Sequence, residues 1–389
     1  MKIKVDGKIL TLLIVLCVIS CTFIYTAVAG SNQYGDPKSF VIKQLIFYVV
    51  GIIVMIVIAQ TDINKLKTLG VGMYIFTFVM LLLLIVAPES IAKPINNAKS
   101  WYQIPFVGTF QPSEFLKFAL LILTAYIIVK HTERYPVKSI KHDFLLLGKI
   151  GLLVLPPSLI VYQQPDTGMI MLYFAMIFPM LFFSNISKKI LFPVLAVPIA
   201  IVSVVAYIYI FMNDFFQNNL LAKLSPHQQS RIRGWLDPFS YGDSAYQTQK
   251  GILAIGSGQE FGKGLSGNNV YIPEKHTDFI FANIGEEVGF IGASFVLIVL
   301  FLLLYRFVQI ALSNKSQYTS LLTAGIISLL TFQIFQNVGM TMGVLPVTGI
   351  TLPFLSYGGS SLVSNMLLVG IMAAIQNDNG DYMFTTKED

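Results

Sequence analysis

A carboxylate at Asp278, in the stretch "KHTDF" (residues 275–279), heads a run that otherwise reads as lipid-facing helix. Charge is costly in such surroundings, so this group needs a role. Three are open. Asp278 caps the following helix by accepting a backbone N–H of its first turn; it ligates a metal with His276, a weak reading without a third ligand nearby; or it is a base that takes or orients a hydroxyl proton. Asn283, Glu286 and Glu287 carry polarity further into the same run, the two acids lying three and four residues beyond the asparagine. A stripe of that kind rarely faces lipid.

Other polar groups enter apolar runs in similar ways. In "FQPSEFLK" (110–117) the proline and serine read as a helix start, and Glu114 and Lys117 are spaced to pair on one face. That pair serves as cap and salt bridge, or its lysine meets a lipid phosphate; Trp101, just upstream, sits at interface depth. Asp166, in "QQPDTG" (163–168), makes an Asx turn between two spans on its plainest reading. Gln333, Gln336 and Asn337 fall inside a span that ends in Pro346, Gly349 and Pro353, followed by Ser356, Gly358, Gly359 and Ser360. Such breaks are tolerated only where backbone is buried in protein or lines a watery cavity, which predicts a cavity open to one face. The glycine-rich "GSGQEFGKG" (256–264) fails as a phosphate loop, because Ser257 and Gly264 stand where that motif needs glycine and Ser or Thr. Turn chemistry or a substrate cradle remains for it.

The elements that must position these groups are set by composition. With 55% hydrophobic and 12% charged residues, and a mean hydropathy of +0.70, the chain belongs in a bilayer. A net charge of +6 does not signal nucleic acid, since the lysines and arginines fall between apolar runs rather than in a patch with aromatics. Cys17 and Cys21 share the first run and read as packing residues. Apolar runs near 9–29, 40–60, 69–87, 114–130, 143–162, 168–184, 189–212, 279–308, 318–345 and 358–376 predict an all-α, polytopic protein with ten transmembrane helices. Basic connections at the N-terminus (Lys2, Lys4, Lys8), 61–68, 130–143, 184–189 and 305–317 alternate with the others, which predicts cytoplasmic termini. Ala27 and Ala29 could end a signal peptide, but a run of about 20 residues is span length. The opposite, outer side gathers 30–39, 88–113, 163–168, a loop of about 213–278 and 346–361, and with them the candidate chemistry.

The blocks "FQPSEFLK", "QQPDTG", "YQTQKGILAIGSG", "YIPEKHTDFIFANIGEEVGFIG" and "GVLPVTGITLPFLSYGGSS", in this order, resemble the SEDS family (shape, elongation, division and sporulation) of bacterial cell-wall synthesis over essentially the whole chain. The resemblance implies one membrane domain, 1–389, with its large extracellular loop between helices seven and eight. It implies a peptidoglycan glycosyltransferase of the bacterial cytoplasmic membrane, active on the outer face, that polymerises lipid II into β-1,4-linked glycan strands. Its partners would be lipid II, a class B penicillin-binding protein and other elongation-machinery proteins; no nucleic acid is implied. Asp278 carries over as the essential catalytic carboxylate, and Trp101, Glu114 and Lys117 as substrate-site residues. Lys99, Arg231, Arg233, Lys263 and Ser356 complete the candidate substrate-binding set, with Mg or Mn held partly by Asp278 and no nucleotide or organic cofactor. Ser100 departs from the family pattern, in which many members have arginine before the tryptophan; Lys99 is the nearest substitute. The short N-terminus and "AKSW" (98–101) lean toward the elongation, rod-shape branch. A lipid II flippase, a division or sporulation paralogue and a noncatalytic scaffold are the alternatives.

Overall fold

A computed structural model describes residues 6–31, 34–94, 98–104, 108–239, 242–314 and 316–382. Lys2, Lys4 and Lys315, used above as topology signals, lie outside the described residues. The helices are α1 (Gly7–Ala29), α2 (Pro37–Ala59), α3 (Leu66–Val86), α4 (Pro112–Arg134), α5 (Ile140–Gln163), α6 (Thr167–Phe182), α7 (Lys188–Phe211), α8 (Asn213–Phe215), α9 (Pro226–Leu236), α10 (Gly242–Gly258), α11 (Ile280–Leu312), α12 (Gln317–Thr341) and α13 (Gly359–Tyr382). Among the described residues nine are long and apolar enough to cross a membrane. The tenth expected span, α6, has 16 residues and rises only about 24 Å, short of a full hydrocarbon core. The all-α expectation holds, apart from a small hairpin in which Tyr102–Ile104 pairs antiparallel with Gly108–Phe110.

Helix starts follow local chemistry. Asp36 accepts from Lys38 N at 3.2 Å to cap α2, whose first residue is Pro37, and α4 likewise begins on Pro112. Ser225 and Gln228 form a capping box at α9. Within the long loop the glycine-rich, polar segment is far more regular than its composition suggests, because α10 packs on both α9 and α11.

Burial separates the helices by role. α4 lies at the centre, packed by α3, α5, α6, α12 and α13, with Leu116 through Ile122 all inaccessible. By contrast, α7 reaches the core only near its start, through Ile190, Leu191 and Val194, and otherwise packs chiefly on the short α8. Between α6, α11 and α12 runs an apolar groove of about 1130 Å³, lined by Ile170, Phe174, Phe178, Leu312 and Phe335 among others.

α11 is broken at Gly289 (φ 63°, ψ −164°), and the break is filled by the glycine-rich turn after α10. Glu286 O and Glu287 O accept from Lys263 N and Gly264 N, each at 3.0 Å, while Phe290 N and Ile291 N donate to Gln259 O (2.8 Å) and Glu260 O (3.1 Å). Backbone groups released by the kink are thereby re-satisfied where lipid offers no partner. A side chain at Gly289 would bring its Cβ to 2.4 Å from Gly262 N, so the approach requires glycine there. The motif "GSGQEFGKG" is therefore a plug for a broken helix.

Candidate active site

Asp278 lies one residue before the N-cap position of α11, which is Phe279, and no side chain caps that helix. The capping role available from sequence is thus not the one taken. Its main chain is held instead: Asn337 Nδ2 donates to Asp278 O at 2.8 Å, and Ser356 Oγ donates to Thr277 O at 2.7 Å while accepting from Leu352 N at 2.8 Å. The carboxylate accepts no hydrogen bond from the described residues. Burial, then Glu274 and Asp166, push its pKa up to about 7, against the opposing pull of Arg231.

Arg231, on α9, is the cation of this cleft. Its Nη1 donates to Thr348 O at 3.4 Å, and a Cβ built at Gly349 would lie 3.5 Å from Asp278 Oδ2 and 4.0 Å from Arg231 Nη2. Both groups therefore border one point on the 346–358 segment, yet no direct ion pair joins them. Asp166 is the second acid in reach of that guanidinium. It caps α6 by accepting from Met169 N at 3.2 Å, so the turn expected of it is present, and burial followed by Glu114 lifts its pKa to about 6.

Gln111 links Asp166 to the hairpin, donating from Nε2 to Asp166 Oδ2 at 2.8 Å and accepting from Trp101 Nε1 at 3.1 Å. Sequence reasoning passed over this residue. The signal was Pro112, which forces Gln111 into extended backbone (φ −111°, ψ 105°) just ahead of α4. Its N–H reaches Ser360 Oγ at 3.0 Å, tying the starts of α4 and α13 together. Beginnings of α4, α6, α11 and α13 thus meet around the cleft, presenting the positive ends of their dipoles to any anion there.

The other sequence candidates scatter. Lys117 is fully buried, its Nζ 2.6 Å from Glu114 Oε2 and 3.0 Å from Asn365 Oδ1, and Ser364 Oγ completes Glu114 at 2.9 Å. That pair fastens α4 to α13 beneath the cleft, so the structure does not leave Lys117 open to a phosphate. Lys99 Nζ bonds Ala87 O, pinning the hairpin to the end of α3. Ser100 Oγ donates to Gln164 O at 3.2 Å. Arg233 shares α9 with Arg231 but sits two residues on, which a helix turns to a different side. Lys263 is committed to Glu286 (2.7 Å) and Asn269 (2.6 Å), away from substrate duty. Ser356 acts on the backbone before Asp278, as described.

Glu286 and Glu287, without a role in the sequence reading, gain one. Glu286 accepts from Lys263, Lys275, Asn269 N and Val270 N, while Asn268 bridges Glu287, Asn283 and Thr26 O. They staple the 263–277 segment and α1 to α11. His276 is wedged among Tyr34, Phe40 and Tyr357, with ring centres 4.6, 5.2 and 5.6 Å away, and burial lowers its pKa to about 4. It packs as a neutral ring. Among the described residues no three His, Cys, Asp or Glu side chains are grouped as a protein-only metal site would require.

Comparison with known proteins agrees with this architecture. Residues 7–380 match the family model for FtsW, RodA and SpoVE, described as "Cell cycle protein". The chain is similar to stage V sporulation protein E of Bacillus subtilis, 30% identical over 94% of each chain. It is similar also to the probable peptidoglycan glycosyltransferase FtsW of Coxiella burnetii, 32% identical over 90% of this chain and 89% of that one. Among solved structures, rod shape determining protein RodA of Thermus thermophilus superposes with a TM-score of 0.65 at 23% identity, over 96% of this chain and 97% of that one. A chain from a peptidoglycan synthase complex superposes at 0.74, also at 23% identity, over 96% of this chain and 98% of that one.

Proposed function

This chain belongs to the FtsW/RodA/SpoVE family, and from that membership we propose that it is a peptidoglycan glycosyltransferase that joins lipid II units through Asp278. The observation that carries the reading is a carboxylate that caps no helix and accepts no hydrogen bond from the described residues, raised to a pKa of about 7 beside Arg231 and Asp166. A general base works best when its pKa lies near the operating pH. Asp278 takes the proton of the acceptor sugar's 4-hydroxyl as that oxygen attacks the anomeric carbon. The new C1–O4 bond forms as the C1–O bond to the lipid diphosphate breaks, with inversion from α to β. Charge collects on the departing diphosphate, where Arg231 and the converging helix starts neutralise it.

The apolar groove along α6 begins at Ile170, one turn beyond Asp166, and suits the hydrocarbon tail of a lipid-linked substrate. Trp101, held by Gln111, offers a flat face to a sugar ring. A divalent cation, Mg²⁺ or Mn²⁺, enters this reading as an ion brought with substrate: Asp278 and Asp166 would hold it and diphosphate oxygens would complete its shell, neutralising the leaving group further. No step above depends on it. A class B penicillin-binding protein is the proposed partner, lipid II is the proposed substrate, and the cleft faces the outer side of the bacterial plasma membrane with both termini inside.

Purified protein supplied with lipid II, in the presence of moenomycin and with or without that partner, tests the proposal. Glycan strands are expected from the wild type, and a loss of about a hundredfold or more from Asp278→Asn. Polymerisation by Asp278→Asn at the wild-type rate would remove the base from the mechanism. The elongation role is the one we assign within this activity, on Lys99-Ser100-Trp101. Depletion should round rod-shaped cells; filaments stalled at division would place the protein in the division branch instead.

A further inference from the structure

The end of the bundle away from Asp278 holds a second polar cavity, of about 480 Å³, between the last turns of α4 and the first half of α5. Lys130, His131, Glu133, Arg134 and Tyr126 of α4 and Lys149 of α5 are among the residues that line it. Lys130 is sixteen residues beyond Glu114 on one helix, which separates this cavity from the active-site cleft by roughly 24 Å.

Lys149 is the unexpected member, because it lies nine residues inside a spanning helix. A cation at such a depth needs a counter-charge. Among the described residues Lys149 forms no ion pair with a carboxylate: its Nζ rests 3.3 Å from His131 Nδ1 and 5.8 Å from the centre of the Tyr135 ring, and Asp143, whose charge reaches His131, accepts instead from Ser187 N at 3.1 Å. His131 is itself 6% exposed, and its Nε2 meets no partner among the described residues. At the rim, Arg134 lies over Tyr135, and Lys130 pairs with Glu133 at 3.2 Å, both of them exposed. Three cations thus surround a hollow that contains one carboxylate. Lys67, which donates to Tyr126 Oη at 2.8 Å, adds to the positive field.

A hollow of this sign between helices suits a phosphate. Leu145 and Leu152, four residues before and three after Lys149 on its own face of α5, are 44% and 77% exposed and give acyl chains a surface to follow. We propose that this cavity binds the phosphate of an anionic membrane lipid, with Lys149 contacting it from the bilayer side and Lys130 and Arg134 from the rim.

Native mass spectrometry of the full chain in neutral detergent tests this, with phosphatidylglycerol, phosphatidylcholine or inorganic phosphate added. Phosphatidylglycerol should be retained over phosphatidylcholine, and retention should weaken roughly fivefold for each cation removed. Lys149→Gln and the double variant Lys130→Gln/Arg134→Gln measure that loss; the latter changes only exposed side chains, so its folding is not in question. Lys149→Arg should retain the lipid, and Lys38→Gln/Lys43→Gln, which removes charge from the start of α2 at the Asp278 end of the bundle, should leave it unchanged. Wild-type retention in both Lys149→Gln and the double variant overturns the site. Equal retention of phosphatidylcholine overturns the anionic headgroup, and displacement by millimolar inorganic phosphate overturns the lipid and leaves a soluble phosphate in its place.

Discussion

Burying a carboxylate without a charged partner in contact costs stability, and at Asp278 the cost can be measured. Its folded pKa of about 7 stands above the ordinary 3.8, so the folded protein holds the proton more tightly than the unfolded chain does. Folding stability attached to this residue is therefore greatest below about pH 4 and declines as pH rises toward 7. Asp278→Asn should raise the melting temperature, and by more at pH 8 than at pH 5, in thermal unfolding at both pH values. Activity runs the other way, because the base must be ionised: kcat/KM should climb with pH through about 7, where a profile flat from pH 5 to 8 would contradict Asp278 as the base. Asp278 was legible in the sequence because a carboxylate before an apolar run is conspicuous. Gln111 was not, since a neutral amide beside a proline looks like any loop residue, and its importance comes from two partners, Trp101 and Asp166, far apart in the chain.

At the scale of elements, the Glu114–Lys117 pair and the break in α11 carry separate expectations. Removing one member of a buried ion pair strands the other, so Lys117→Met should cost about 3–5 kcal/mol, measured by thermal or denaturant unfolding. Glu114→Gln with Lys117→Met should recover part of that loss, and additive losses would show that the two do not act as a pair. Gly289→Ala places a side chain at positive φ against the backbone of the plug; a melting temperature unchanged from wild type would mean that the turn does not dock there as described. Spacing was enough to predict that Glu114 and Lys117 meet. It could not reveal that the glycine-rich turn closes a helix break, because the hydrogen bonds responsible run between main-chain groups and leave no pattern of side chains to read.

For the molecule as a whole, hydropathy located each of the nine helices of span length among the described residues, but not its company. α4 and α7 are both apolar and of span length, yet one is the buried axis of the bundle and the other touches little besides α8. Glu114 and Lys117 mark the difference, since charges tolerated inside a span announce protein neighbours, whereas α7 has none between Lys189 and its end. The shortness of α6 was visible in the sequence, where its apolar run, 168–184, is only 17 residues long.

The break at Gly289 has a mechanical meaning. α11 is two rods: a short one of roughly 15 Å that begins beside Asp278, and a long one of roughly 35 Å with the exposed apolar residues Phe295, Ile298 and Phe301. A continuous helix would transmit tilting in the bilayer directly to the carboxylate. Here the joint absorbs it, and the short rod takes its bearing from the plug, from α1 and from the loop, so the aim of Asp278 is decoupled from changes in membrane thickness.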